Sequence, residues 1–217
     1  AFFGDRMQLP VPEALAAGIE HSTAILIIVS RPVDPDCVGT ALALQWLLQS
    51  RGKPCRIVNF FGIPPTMASF PGIDRLLDAQ PASFDFSGYD LFITVDGSSW
   101  SQFFGDSWAE VLAKIDLLNI INIDHHEPGE IMRALGNRCL NVKSSSTAQV
   151  LYEYFLEPYG STPPPEIADC LYRALLYDTR SFKNEIYPGA YRFAEALIGF
   201  GADHAAAVDV NYAMREV

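Results

Sequence analysis

Apolar runs and amphipathic stretches alternate along this chain. Thr23–Val29 (TAILIIV) is a continuous apolar, β-branched run, the pattern of a strand buried on both faces. Gly39–Ser50 has helical periodicity and is stopped by Arg51-Gly52. Cys55–Phe60 predicts a second strand. After a loop rich in proline and glycine, a short helix is predicted near Ile73–Asp78. Asp90–Val95 predicts a third strand, Ser107–Lys114 a helix, Leu117–Ile123 a fourth strand and Cys139–Val142 a short additional one. From about Ser145 the pattern becomes helical, over Ser146–Leu156, Pro165–Tyr177, Pro188–Phe200 and Asp203–Met214.

Strands that alternate with helices predict an α/β fold. The expected form is a mostly parallel, doubly wound sheet with right-handed crossovers and a helical C-terminal part packed over it. Pro163–Pro165 suits a stiff turn between helices and no interdomain linker is evident, so residues 1–217 are expected to form a single domain.

Composition narrows the function classes. The 217 residues are 49% hydrophobic and 19% charged, which excludes a disordered chain. A net charge of −11 disfavours nonspecific binding to long duplex nucleic acid or to anionic membrane. Small phosphorylated partners remain compatible, because a bound divalent ion reverses the local sign. The longest apolar run, around Ala24–Val29, is too short to span a bilayer, and Ala1–Pro10 lacks the pattern of a signal peptide. Cys37, Cys55, Cys139 and Cys170 are widely spaced and read as reduced thiols, so the cytoplasm is the expected compartment.

In open parallel sheets ligands bind beyond the carboxyl ends of the strands, and the polar residues gather there. The first strand runs into Ser30-Arg31-Pro32-Val33-Asp34-Pro35-Asp36, the third into Asp96-Gly97 and the fourth into Asp124-His125-His126. A helix end adds Asp178-Thr179-Arg180-Ser181-Phe182. Each segment also has a plainer reading. Asp34 and Asp36 suit a turn that caps the following helix, Asp96-Gly97 suits a turn, and Asp178 suits a helix end. Adjacent histidines after a buried strand have little packing use and point to a site. Carboxylates gathered in one cleft repel each other, and a divalent cation resolves the conflict. Mixed carboxylate and imidazole donors suit Mn²⁺, with Mg²⁺, Co²⁺ or Zn²⁺ as alternatives.

These segments, in this order, together with Ser144-Ser145-Ser146-Thr147-Ala148 before a helix, resemble the DHH-family phosphoesterases over about residues 19–207. The resemblance implies two metal sites. Asp96 would bridge both ions, Asp34 would serve the first, and Asp36, His125 and Asp178 the second. Asp124 would orient an imidazole. His126 would face the substrate phosphate, and Ser146 and Thr147 would offer an anion contact at a helix start. The implied activity is metal-dependent hydrolysis of phosphate esters in short oligonucleotides, nucleoside phosphates or cyclic dinucleotides, in the manner of nanoRNases. A homodimer is compatible with that role.

Three departures shape the expectations. Ser30 stands where the family has a histidine, so the first metal site is expected to be weakened. Arg180 stands where the family often has glycine, and it suits either a phosphate clamp or a partner for the carboxylates. The family's smaller, glycine-rich C-terminal substrate domain is absent from these 217 residues. A DHH domain that binds a ligand or protein without hydrolysis, and a manganese-dependent inorganic pyrophosphatase, are the alternative readings.

Overall fold

A computed structural model describes residues 11–184 and 186–213. Six strands, β1 (Ile25–Val29), β2 (Cys55–Asn59), β3 (Leu76–Asp78), β4 (Leu91–Val95), β5 (Ile120–Asp124) and β6 (Cys139–Asn141), form one sheet in the order β3-β2-β1-β4-β5-β6. Every pairing is parallel. The expected α/β architecture is therefore what forms.

The sheet has a core on each face. Along β1, Ile25, Ile27 and Val29 enter one apolar cluster while Leu26 and Ile28 enter the other, as the two-residue period of a strand requires. The first cluster is covered by α1 (Glu13–His21), α2 (Pro35–Ser50), α6 (Thr147–Leu151) and α7 (Pro165–Asp178). The second is covered by α3 (Trp100–Phe104), α4 (Trp108–Leu112) and α5 (Glu130–Leu135), with an aromatic group that includes Phe60, Phe86, Phe92 and Phe104. Helices α8 (Ala190–Gly199) and α9 (His204–Ala213) pack on α7. No helix among the described residues is long and apolar enough to cross a membrane.

Several elements differ from the sequence expectation. The segment near Ile73–Asp78 is not a helix. A single 3-10 turn over Ile73–Arg75 leads into β3, where Leu76 pairs with Ile57 and adds an edge strand to the sheet. Helix α2 begins at Pro35 rather than Gly39, because Asp34 caps it and proline at the first helical position needs no N–H partner. The helix expected over Ser146–Leu156 is α-helical only to Leu151 and continues as a π turn over Tyr152–Leu156. Helix α9 ends at Ala213, and the expected end at Met214 lies outside the described residues.

Helix α2 is buried nearly all round because it lies between the sheet and α7. Gly39 allows that approach: a Cβ there would come within 2.6 Å of the Cys170 carbonyl oxygen on α7. That atom is backbone and cannot swing away. Alanine at position 39 would gain about 1 kcal/mol of helix propensity but would force the two helices apart. Gly39→Ala is expected to lower stability by a net ~2 kcal/mol, the usual cost of overpacking. The result to look for is a lower urea midpoint at unchanged slope.

Candidate metal centre

Parallel register brings the polar residues together. Val29 pairs with Val95, and Val95 with Ile123, so Ser30, Asp96 and Asp124 stand side by side at the carboxyl edge of three adjacent strands. The chain leaves β1 toward one face and β4 toward the other, and the crevice between them is the topological switch point of the sheet.

Asp34 caps α2 as the plainer reading anticipates, its Oδ1 accepting from the backbone N–H groups of Asp36 (3.0 Å) and Cys37 (3.1 Å). Asp36, two residues further on, is fully buried. It accepts from the backbone N–H of Thr147 (2.7 Å) and of Ala148 (3.0 Å) at the start of α6. Two such charge-assisted bonds fix the carboxylate plane and tie α6 to α2.

Asp96 ends β4 in a left-handed conformation (φ 65°), which aspartate tolerates better than most residues. Its Oδ1 accepts from the Thr147 hydroxyl at 2.8 Å. Asp124 uses both oxygens: Oδ1 takes the His125 N–H (2.9 Å) and the His126 ring Nδ1–H (2.8 Å), and Oδ2 takes the Asn141 amide (3.3 Å).

His125 donates Nδ1–H to the Ser144 carbonyl at 3.1 Å, so in the neutral ring Nε2 is bare. That nitrogen faces Asp178 (3.2 Å), Asp96 (3.7 Å) and Asp36 (3.9 Å). A bare nitrogen among three carboxylates needs a proton or a cation between them. His126 is more open, with 46% of its side chain exposed, and with Nδ1 held by Asp124 its Nε2 is left for other partners.

Electrostatics follow from this crowding. Burial and the neighbouring Asp36 push the Asp34 carboxyl up to about 7. Burial, then Asp36, Asp34, Asp178 and Asp124, push Asp96 well above the usual carboxylate range. The hydrogen bond to Asp124 holds the His126 ring above its ordinary value.

Among the described residues, three donor trios have ligand atoms within 4.8 Å of one another: Asp36, His125 and Asp178; Asp96, His125 and His126; and Asp34, Cys37 and Asp96. The mixed oxygen, nitrogen and sulfur donors fit divalent ions, and Asp96 belongs to two of the trios. The five expected ligands, Asp34, Asp36, Asp96, His125 and Asp178, all meet here. Cys37 is the donor that sequence reasoning missed. Its signal was its place, three residues after Asp34 and therefore on the same side of the first helical turn.

Other expected roles differ in the structure. Ser146 and Thr147 are fully buried. The Ser146 hydroxyl accepts from Gln149 N, and both Thr147 donors go to Asp36 and Asp96. These residues position the acidic side chains, since the Thr147 and Ala148 N–H groups at the helix start are already given to the Asp36 carboxylate. Arg180 is exposed and its side chain makes no ion pair among the described residues, so it does not fill the cleft as a partner for the carboxylates. It opens a run of three left-handed residues, Arg180 (φ 49°), Ser181 (φ 57°) and Phe182 (φ 62°). His21 lies in the last turn of α1, its Nδ1 bonded to the Ala17 carbonyl.

The family model described as DHH family, N-terminal domain, matches residues 24–175. Among solved structures the chain is similar to an exopolyphosphatase-related protein from Bacteroides fragilis, with a TM-score of 0.74 and 21% identity. That likeness covers 91% of this chain and 58% of the other, so this chain spans little more than half the length of the protein it matches. At such identity the likeness is one of fold.

Proposed function

The chain belongs to the DHH family, and from that premise we propose that it is a metal-dependent phosphoesterase of small phosphorylated substrates. Short oligonucleotides, nucleoside phosphates and cyclic dinucleotides are the substrate classes in view. The observation that supports this reading most is the sharing of Asp96 between two donor trios at the switch point of the sheet. In this reading Asp36, His125 and Asp178 would hold one ion, Asp34 would serve the other, Asp96 would contribute to both, and Mn²⁺ suits the carboxylate and imidazole donors. Divalent ions so placed lower the pKa of a bound water and neutralise phosphoryl charge.

The chain's own residues supply the rest. Asp124 holds the His126 ring so that Nε2–H is left to donate to a phosphoryl oxygen, and it favours the charged form that would stabilise negative charge developing there. Ser144 fixes the tautomer of His125 through its carbonyl. The acidic surface favours small substrates over long polymers, and the reduced state of all four cysteines suits a cytoplasmic enzyme.

The test is a hydrolysis screen with Mn²⁺, Co²⁺ or Zn²⁺ over di- and trinucleotides, nucleoside bisphosphates, a cyclic dinucleotide, pyrophosphate and polyphosphate. Metal-dependent turnover of an organic phosphate ester, abolished by EDTA, is the expected result. Turnover of pyrophosphate or polyphosphate alone would move the assignment to an inorganic phosphate substrate. A protein that binds metal and hydrolyses none of them would be a binding domain instead.

Arg180 offers a finer test. If its exposed guanidinium receives a substrate phosphate, Arg180→Gly should raise KM about tenfold or more while kcat changes little. The same change relieves a left-handed non-glycine residue and should stabilise the fold by about 1 kcal/mol. A raised melting temperature with unaltered KM would remove Arg180 from the substrate site.

A further inference from the structure

We propose that Cys37 is a metal ligand, completing with Asp34 and Asp96 a first metal site whose thiolate favours Zn²⁺, Co²⁺ or Fe²⁺ over Mn²⁺ and Mg²⁺. The inference rests on the metal-dependent reading above and goes beyond it, because it names a donor and a selectivity for this chain. It also replaces the expectation that Ser30 leaves the first site weakened.

The geometry places the sulfur well. Cys37 is the third residue of α2, and helical side chains lean back toward the N-terminus. Its Sγ therefore sits beside Asp34, accepting from the Asp34 N–H at 3.4 Å and, as a thiol, within donating distance of the Asp34 carbonyl (3.4 Å) and the Ser30 carbonyl (3.8 Å). It is fully buried, and its ligand atom lies within 4.8 Å of carboxylate oxygens of both Asp34 and Asp96.

A second observation points the same way. Asp34 gives one oxygen to the helix cap and Asp96 one to the Thr147 hydroxyl, and carboxylate oxygens of both lie within 4.8 Å of each other and of the Cys37 sulfur. Ser30, at the neighbouring strand end, offers no nitrogen. Two carboxylates and a thiol around one point make an O,O,S donor set.

Ligation is balanced simply. The S–H bond breaks, its proton leaves to buffer, and the sulfur lone pair forms the bond to the ion with no change of oxidation state. The Asp34 N–H already directed at sulfur then stabilises the thiolate. Softness of sulfur sets the selectivity, since carboxylate and water suit Mg²⁺ and Mn²⁺ whereas thiolate suits Zn²⁺ and its neighbours. A plainer role also exists, because the thiol closes a capping box with Asp34. Capping alone gives no sulfur–metal signature.

The experiment is a Co²⁺ titration of the metal-free protein followed by near-ultraviolet absorption. The expected result is a sulfur-to-cobalt charge-transfer band that is lost in Cys37→Ser and Cys37→Ala and kept in Cys139→Ser. In parallel, the preference for Zn²⁺ over Mn²⁺ should fall in the Cys37 variants. X-ray absorption at the zinc edge of the unaltered protein, which needs no variant to fold, should show a sulfur scatterer. Co²⁺ binding without the band, or a band that survives Cys37→Ala, overturns the cysteine ligand and leaves the phosphoesterase reading standing. No Co²⁺ binding at all overturns both.

Discussion

Asp96→Asn is expected to reduce metal-dependent hydrolysis by on the order of 10³-fold or more and to lower the number of ions bound, while the fold survives. Asp96 is the one carboxylate common to the trio with Asp34 and Cys37 and the trio with His125 and His126. Losing its charge weakens both ends of the centre at once, whereas Asp34 and Asp178 each touch one. Asparagine is the informative replacement because position 96 is left-handed, and Asn adopts that conformation about as readily as Asp. Its amide oxygen can still accept from the Thr147 hydroxyl, which packs α6 against this strand end. Alanine would add about 1 kcal/mol of backbone strain and would strand that hydroxyl, mixing a folding defect with a chemical one. Metal stoichiometry by calorimetry, a melting curve and kcat/KM on one preparation separate the effects. Full metal-stimulated turnover in Asp96→Asn would falsify the placement of the centre.

The carboxyl edge of the sheet was legible because each long strand is an apolar run that stops abruptly at an ionisable residue. Val29 gives way to Ser30 and soon Asp34, Val95 to Asp96, and Ile123 to Asp124. A parallel sheet aligns such endings, so these residues could be placed at one crevice before their distances were known, while the five candidate ligands followed from the DHH resemblance. What local pattern cannot convey is the use of a polar group by a neighbour remote in sequence. Thr147 and Ala148 look like free donors at a helix start until Asp36, more than a hundred residues earlier, is packed against them. Cys37 reads as a buried apolar thiol until β4 brings Asp96 alongside. Short elements were lost for a related reason. Three residues of β3 carry too few periods to register, and only pairing with β2 makes them a strand. The early start of α2 was obscured by Pro35, a helix breaker inside an element but a good first residue after an aspartate cap.

Metal-free protein is expected to lose stability as the pH rises from about 5 to 8, and divalent metal to restore it most strongly at the upper end. The sign follows from the centre itself. Asp34 is raised to about 7 in the fold, by burial first and Asp36 second, against about 3.9 in an unfolded chain. Asp96 is displaced in the same direction. Across this window the folded protein holds protons that the unfolded chain has released, so unfolding is favoured as they are stripped away. His126 adds to the trend. Its folded value is raised, chiefly by the Asp124 hydrogen bond, so its contribution is complete below the unfolded value of about 6.5 and is lost as pH rises through the folded one. Asp85 and Asp90, held below the ordinary carboxylate value by hydrogen bonds, act oppositely, but only at more acid pH. A metal ion takes over the protons' task of neutralising the cluster. At a hundred times its Kd it contributes about 2.7 kcal/mol, equivalent to a rise in melting temperature on the order of 5–10 °C for a chain of this size. Protons compete with it at pH 5, so the gain there should be small. Asp34→Asn provides the internal check. Asparagine keeps the helix cap and imitates the protonated acid, so the metal-free variant should melt above the parent at pH 8 and respond less to pH. Differential scanning calorimetry of the EDTA-treated and metal-loaded proteins reads all of these. A metal-free melting temperature that stays level or climbs between pH 5 and 8 would mean that the carboxylates do not repel one another as their packing requires.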